Sequence, residues 1–197
     1  PDAIYGHILD AAIDLMGSDG ASVQMLDAER GALKLLACRN FHAASAEFWE
    51  WVEAGSGSTC GDALARRERS VVEDVETCAF MAGTGDLDAY RRSGIRAVQS
   101  TPLVSRSGEP IGMISTHWRT PHAPDERSFR LFDVLARQAA DAIERAQTRT
   151  ALAALADRSR VLLELEERLR VADDPQAAIV AAAELLGREL GAGRVAY

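Results

Sequence analysis

Cysteine is scarce: Cys38, Cys60 and Cys78 are the three among 197 residues. An odd count at wide spacing does not make a disulfide framework, and a reducing cytoplasm is the expected setting. Positive charge is also short. The net charge of −8 disfavours nucleic acid as a partner of the whole surface. No apolar run approaches the ~20 residues of a membrane span, so no membrane contact is expected. An initiator methionine is missing, because the chain opens on Pro1 with no signal-peptide pattern, and a fragment of a longer protein is expected. What is present is ordinary globular material, 47% apolar and 26% charged, enough for one domain and part of another.

Residues 94–119 stand out. Ile95 to Val104 is rich in β-branched and apolar residues, Ser105 to Glu109 is turn chemistry, and Pro110 to Arg119 reads as a second strand. Gly108 supplies a residue that tolerates positive φ. Both strands alternate apolar with small polar residues, as expected of a central hairpin covered on both faces. Ser115 and His117 share a parity, and Ser100 and Thr101 lie on the partner strand. One face suits helices and the other a polar pocket; which of His117 and Trp118 points to the pocket depends on the parity.

Residues 2–17 form an amphipathic helix with Ile4, Ile8, Leu9, Ala12, Ile13 and Met16 at helical spacing, stopped at Gly17. His7, on the flank of this face, reads as a boundary residue rather than a ligand. Residues 20–27 and 31–38 alternate and are joined by Ala28-Glu29-Arg30-Gly31, a β-hairpin. Residues 44–52 read as a helix whose Phe48, Trp49 and Trp51 supply core packing or roof a pocket. A Gly/Ser loop then enters a helix at Ala63 to Glu68, followed by a strand from Ser70 to Val75. Such a loop is a weak anion-cradle signal, and with no GxxxxGK[ST] it is not a nucleotide P-loop. Cys60, at the helix start, is read either as a reactive thiol or as a small buried residue. Residues 77–93 arch over the sheet with a short helix capped by Thr84 or Asp86.

From Asp125 the pattern is helical to about Val171. Leu131, Phe132, Leu135, Ala139, Ala142, Ile143 and Ala146 make an apolar stripe, continued by Leu155, Leu162, Leu165 and Leu169. Three of these leucines repeat by seven. At ~1.5 Å per residue such a helix spans roughly 65–70 Å and outruns its domain, so a parallel homodimer is expected to bury the leucine seam, with a fold-back onto residues 176–190 as the alternative. Asp173-Asp174-Pro175 starts another helix. Residues 174–197 repeat the helix–stop–strand order of the N-terminus, the expected start of a second, similar domain.

The segments GSGSTCGDALARRERSVVEDV and IRAVQSTPLVSRSGEPIGMIS, followed by a helix ending LARQAADAIERA, resemble in order and spacing the GAF domain of bacterial sensor proteins, commonly histidine kinases. The resemblance covers about residues 2–147. It implies an α+β fold, GAF/PAS-like, with a central antiparallel sheet of about six strands and helices on both faces. The first and last helices would pack on one face, and a ligand cavity would lie on the other under residues 44–92. A long signalling helix would follow. The expected organisation is a sensor domain at 1–147, a helical linker at 148–172 continuing the helix from about 125, and a truncated second domain at 173–197.

Family ligands are weighed residue by residue. No Asn-Lys-x-Phe-Asp-Glu motif marks a cyclic-nucleotide site. None of the cysteines is followed by His, as bilin attachment would want. His117 is the one candidate for a haem ligand and reads better as a core or rim residue. Cys38-x3-His42 is too few ligands for a metal. No cofactor is therefore expected, and no catalytic residue. The expected pocket residues are Trp49, Phe80 and Tyr90 as aromatic walls, with Cys60, Ser100, Ser115 and His117 as polar anchors. A non-catalytic sensor and dimerisation module is the first expectation. The alternative is a cysteine-based redox protein resembling free methionine sulfoxide reductase, built on Cys60 with Cys78.

Overall fold

The computed structural model describes residues 2–171 and, beyond them, only residues 176, 179, 180, 182, 183, 185 and 187. The chain separates into two compact units, Pro1–Glu144 and Arg145–Tyr197. In the first, helix α1 (Asp2–Met16) leads into strands β1 (Gly20–Asp27) and β2 (Ala32–Arg39), helix α2 (Ala43–Phe48) and strand β3 (Trp51–Glu53). Helix α3 (Thr59–Arg66), strand β4 (Ser70–Val72), a 3-10 turn at Val75–Thr77 and helix α4 (Gly85–Arg92) follow. Strands β5 (Ala97–Val104) and β6 (Pro110–Trp118) precede helix α5 (Glu126–Val171).

The six strands form one antiparallel sheet in the order β3-β2-β1-β6-β5-β4. The β5–β6 hairpin turns where its composition says it should. Gly108 has φ of +88°, a value that only glycine reaches without strain, and Ser105 accepts from the Glu109 amide at 3.1 Å. Period-two alternation then divides the sheet into two cores. Val23, Ile114, Leu103 and Trp118 face α1 and the first turns of α5, where Leu9, Phe132, Ala139 and Ile143 close the packing. Leu33, Val52, Val72, Val98 and Met113 face the other way, toward α3, α4 and residues 75–81. The parity left open by the sequence is therefore fixed: His117 faces the second core and Trp118 the first.

The region 44–52 differs from expectation. The helix ends at Phe48, and Trp51 opens an edge strand paired with Lys34. With β3 only three residues long, no alternation was there to read, and Phe-Trp-Glu-Trp mimics a helical stripe. Trp51 roofs nothing; its ring lies under the Arg30 guanidinium, 4.0 Å from the ring centroid. Helix α3 also starts four residues early, at Thr59, because Ser58 caps it and accepts from the Gly61 amide at 3.1 Å. Gly61 is obligatory there: a Cβ would lie 2.2 Å from Ser56 Oγ and 2.8 Å from the Glu53 carbonyl.

On the helix side, Arg69 joins the sheet to α5. Its Nε donates to Thr101 Oγ1 at 2.8 Å, its Nη2 to Asp133, and its guanidinium lies over Phe129. Thr101 in turn bonds Gln99, and Gln99 bonds Thr116. In the second unit, Leu155, Leu162 and Leu169 are exposed and Leu165 is half-buried. The Asp173-Asp174-Pro175 start and the 191–197 end of the expected second domain lie outside the described residues. Among the described residues no helix is long and apolar enough to cross a membrane.

Candidate functional site

The second core is incompletely filled. A cavity opens between the sheet and its covering segments, floored by Ser22 and Gln24 of β1, Leu35 of β2 and His117 of β6. Its walls are Phe41, Trp49, Val52, Ser58, Cys60 and Tyr90. Strand alternation places Ser22 and Gln24 on the same side as His117, since β1 pairs with β6 with Gly20 opposite His117 and Ser22 opposite Ser115. The empty volume, counted out to the mouth, is about 280 Å³. Room for the centre of a water molecule is only about 10 Å³, enough for about one ordered water.

The walls are aromatic and tightly set. Trp49 and Tyr90 ring centroids are 4.6 Å apart, and Phe41 meets Trp49 edge-on at 5.8 Å and His117 at 4.8 Å. Trp49 is oriented from behind: its Nε1 donates to Asp86 at 2.8 Å. Asp86 stands in α4, held by the Thr84 cap that accepts from the Leu87 amide.

At the α3 end a thiol–hydroxyl cluster closes the site. Cys60 Sγ lies 3.3 Å from Ser100 Oγ and 3.2 Å from Ser115 Oγ, the two serines are 2.8 Å apart, and Thr59 Oγ1 is 2.7 Å from Ser100. Burial raises the Cys60 thiol above its ordinary range, against the two serine hydrogen bonds that lower it. Burial also pushes the Tyr90 phenol well above its ordinary value and pushes His117 down to about 3. All three are neutral at pH 7. Two residues lining the cavity carry a buried polar atom with no hydrogen-bond partner, Gln24 at Oε1 and His117 at Nδ1. The Gln24 amide nitrogen reaches the Trp49 carbonyl at 3.4 Å.

Of the seven residues singled out in the sequence, Trp49, Cys60, Tyr90 and His117 line the cavity. Ser100 and Ser115 lie beneath Cys60 and hold its thiol. Phe80 is not a wall: it is 42% exposed, on the turn that follows residues 75–77, and its neighbour Met81 takes the buried place. Ser22, Gln24, Leu35, Phe41, Val52 and Ser58 were not anticipated. The signal for two of them was available, since Ser22 and Gln24 share one parity on a strand whose other parity is Val23 and Met25. Cys78 packs at the edge of the same core, and all three cysteines are free thiols. Among the described residues no three His, Cys, Asp or Glu side chains gather as a metal site would require.

A model of the GAF domain family matches residues 1–144. The chain belongs to the GAF family. GAF domains are in general non-catalytic sensor modules of signalling proteins. Among solved structures, a domain assigned to a two-component sensor histidine kinase of Sinorhizobium meliloti superposes with a TM-score of 0.63 at 24% identity, covering 76% of this chain and 94% of that one. A GAF domain/HD domain protein from Geobacter sulfurreducens gives 0.62 at 15% identity, covering 75% and 94%. Free methionine-R-sulfoxide reductase from Neisseria meningitidis, solved with its substrate, gives 0.58 at 19% identity, covering 74% and 80%. No curated protein matches the chain significantly. These likenesses establish the GAF fold, a six-stranded antiparallel sheet with helices and a long C-terminal helix.

Proposed function

We propose that this GAF domain is a small-molecule sensor and dimerisation module of a bacterial signal transduction protein such as a histidine kinase, and that the state of its cavity is passed on along α5. The observation that carries this reading is the sharing of one hairpin between cavity and helix. The rung Ser100–Ser115 supports Cys60 at the cavity wall, while the adjacent rung Gln99–Thr116 leads through Thr101 and Arg69 to Asp133 on α5. A displacement of these two strands by an occupant of the cavity is felt on the other face, because packed interiors do not absorb strain locally.

The exposed leucines 155, 162 and 169 supply the seam that a second copy would cover, with the period of a coiled coil. Leu165 falls between them on the same side of the helix. The redox alternative is less well supported. Cys60 is buried with its thiol raised, whereas a nucleophilic cysteine needs its thiolate accessible.

Native mass spectrometry of the purified protein tests the reading. A dimer carrying a stoichiometric small-molecule adduct is expected. A monomer without an adduct at micromolar concentration would overturn it.

A further inference from the structure

The surroundings of α5 change partway along the second unit. From Gln147 to Arg160 every residue is exposed. From Val161 on, exposure becomes periodic: Val161, Glu164, Leu165 and Arg168 are half-buried, and the residues between them are exposed. Positions three, four and seven apart share one face of a helix, so this stretch of α5 is covered on that face alone. The two charges on the face are satisfied within the helix, where Arg168 Nη2 donates to Glu164 Oε1 at 2.7 Å.

The cover comes from the same unit. Beyond α5 the described residues between 176 and 187 are helical, and Leu185 among them has no exposed surface. A side chain on a lone helix keeps part of its surface in water, so complete burial requires a second element against it. Leu185 belongs to the unit Arg145–Tyr197. Among the described residues of that unit beyond Gln147, the half-buried face at Val161 to Arg168 is the one other covered surface. Residues 172–175 are all that separate α5 from the second segment, and so short a connection joins antiparallel neighbours. Leu185 and the half-buried face therefore cover each other.

What stays bare does not suit a pair of single helices. With Leu155, Leu162 and Leu169 at one core position of a heptad, the other core position falls three residues on, at Arg158 and Leu165. In a parallel pair in register Arg158 would meet its own copy, charge against like charge, and Leu165 is already half covered. Yet Leu155, Leu162 and Leu169 are exposed, and on the second segment so are Ile179 and Val180. Apolar side chains thus remain open on both helical segments of the unit. Charge points to a second copy as the occupant. The chain carries −8 overall, but residues 147–171 hold five arginines against four carboxylates. Here two acidic chains can meet without like-charge repulsion, and a two-fold contact sets the same patch on both.

Building on the dimerisation reading, we propose that the segment holding Leu185 folds back on α5 as the second arm of a helical hairpin, and that two copies of the chain pair hairpin to hairpin, as four helices, through Leu155, Leu162 and Leu169 of one arm and Ile179 and Val180 of the other.

Sedimentation equilibrium of the full chain measures the dimer dissociation constant. Tryptophan fluorescence reports separately on the first unit, since Trp49, Trp51 and Trp118 all lie there. The wild-type chain is expected to be a dimer. Leu162→Glu should weaken it at least about tenfold, because the carboxylate would be buried without a partner. Ile179→Glu and Leu185→Glu should each weaken it by a similar factor with tryptophan emission unchanged, and the volume-conserving Leu185→Met should leave it intact. In a dimer made by α5 alone, Ile179→Glu has no effect, and Leu185→Glu either has none or tightens the pair by baring Leu165. A dimer lost in Leu162→Glu but kept in Leu185→Glu or in Ile179→Glu therefore overturns the four-helix pairing and leaves the dimerisation reading in place. A wild-type chain that stays monomeric at tens of micromolar overturns this proposal and the dimerisation reading together.

Discussion

The two faces of the sheet are built from the same strands and differ in what they leave unfinished. Toward α1 and α5, Leu9, Val23, Ile114 and Phe132 are fully buried, and the polar residues between them bond one another, Gln99 to Thr116 and Thr101 to Gln99. Toward α3 and α4, the corresponding positions are Ser22, Gln24, Ser115 and His117. There, two buried polar atoms, Gln24 Oε1 and His117 Nδ1, stay unpaired and room remains, whereas the first face leaves Trp118 Nε1 unpaired. A one-residue step along β6 takes the chain from the filled core at Trp118 to the cavity at His117. The first face is filled, and the second is left with empty space beside polar side chains.

The contrast is broken most severely on the first face. Phe132→Ala removes a ring with no exposed surface and should lower unfolding free energy by about 3–5 kcal/mol, read from the shift in urea midpoint. A loss below about 1 kcal/mol would mean that α5 is not docked on this core.

On the second face the largest effect depends on pH. His117 has a folded-state pKa of about 3 against an ordinary ~6.5. As pH falls below about 6.5 the unfolded chain takes up the proton first, so stability drops by roughly 1.4 kcal/mol per pH unit until the folded pKa is reached. Near pH 4.5 that amounts to about 2–3 kcal/mol relative to pH 7. His117→Phe should lack this component. Denaturation of both proteins at the two pH values decides it, and parallel losses would refute a buried neutral histidine.

Gln99→Leu should cost about 1–3 kcal/mol, because it leaves the Thr116 and Thr101 hydroxyls without their amide. Its urea midpoint should fall accordingly, and an unchanged midpoint would show that the Gln99 amide adds nothing to the first face. The smallest effect belongs to Phe80→Ala. A half-exposed side chain outside both cores should shift stability by no more than about 0.5 kcal/mol, and a loss above about 1 kcal/mol, read from the urea midpoint, would show that its ring packs on the second core.

Much of this is legible in the sequence. The hairpin at 94–119, the N-terminal helix, the β1–β2 pair and the helix from Asp125 each carry a long pattern or a strong turn signal. The GAF architecture followed from their order. Trp51 was misread because an edge strand of three residues has no period, and Phe80 because a turn gives aromatic residues no fixed direction. Gln24 escaped notice although its alternation was visible. Its role depends on an empty space beside it, and a one-dimensional pattern marks which face a residue takes without marking whether that face is filled. Phe41 carried no local signal at all, since only the pairing of β2 and β6 with β1 brings its segment against His117.

The Arg69 chain has a direction. A guanidinium can only donate, so Arg69 gives to Thr101, Thr101 to Gln99 and Gln99 to Thr116. Fixed at one end by a group that never loses its proton, the sequence of donors has no reversed form of equal energy. It therefore acts as a strut and not as a relay of protons: whatever reaches α5 along it must arrive as movement of the strands, and its response should be insensitive to solvent deuteration.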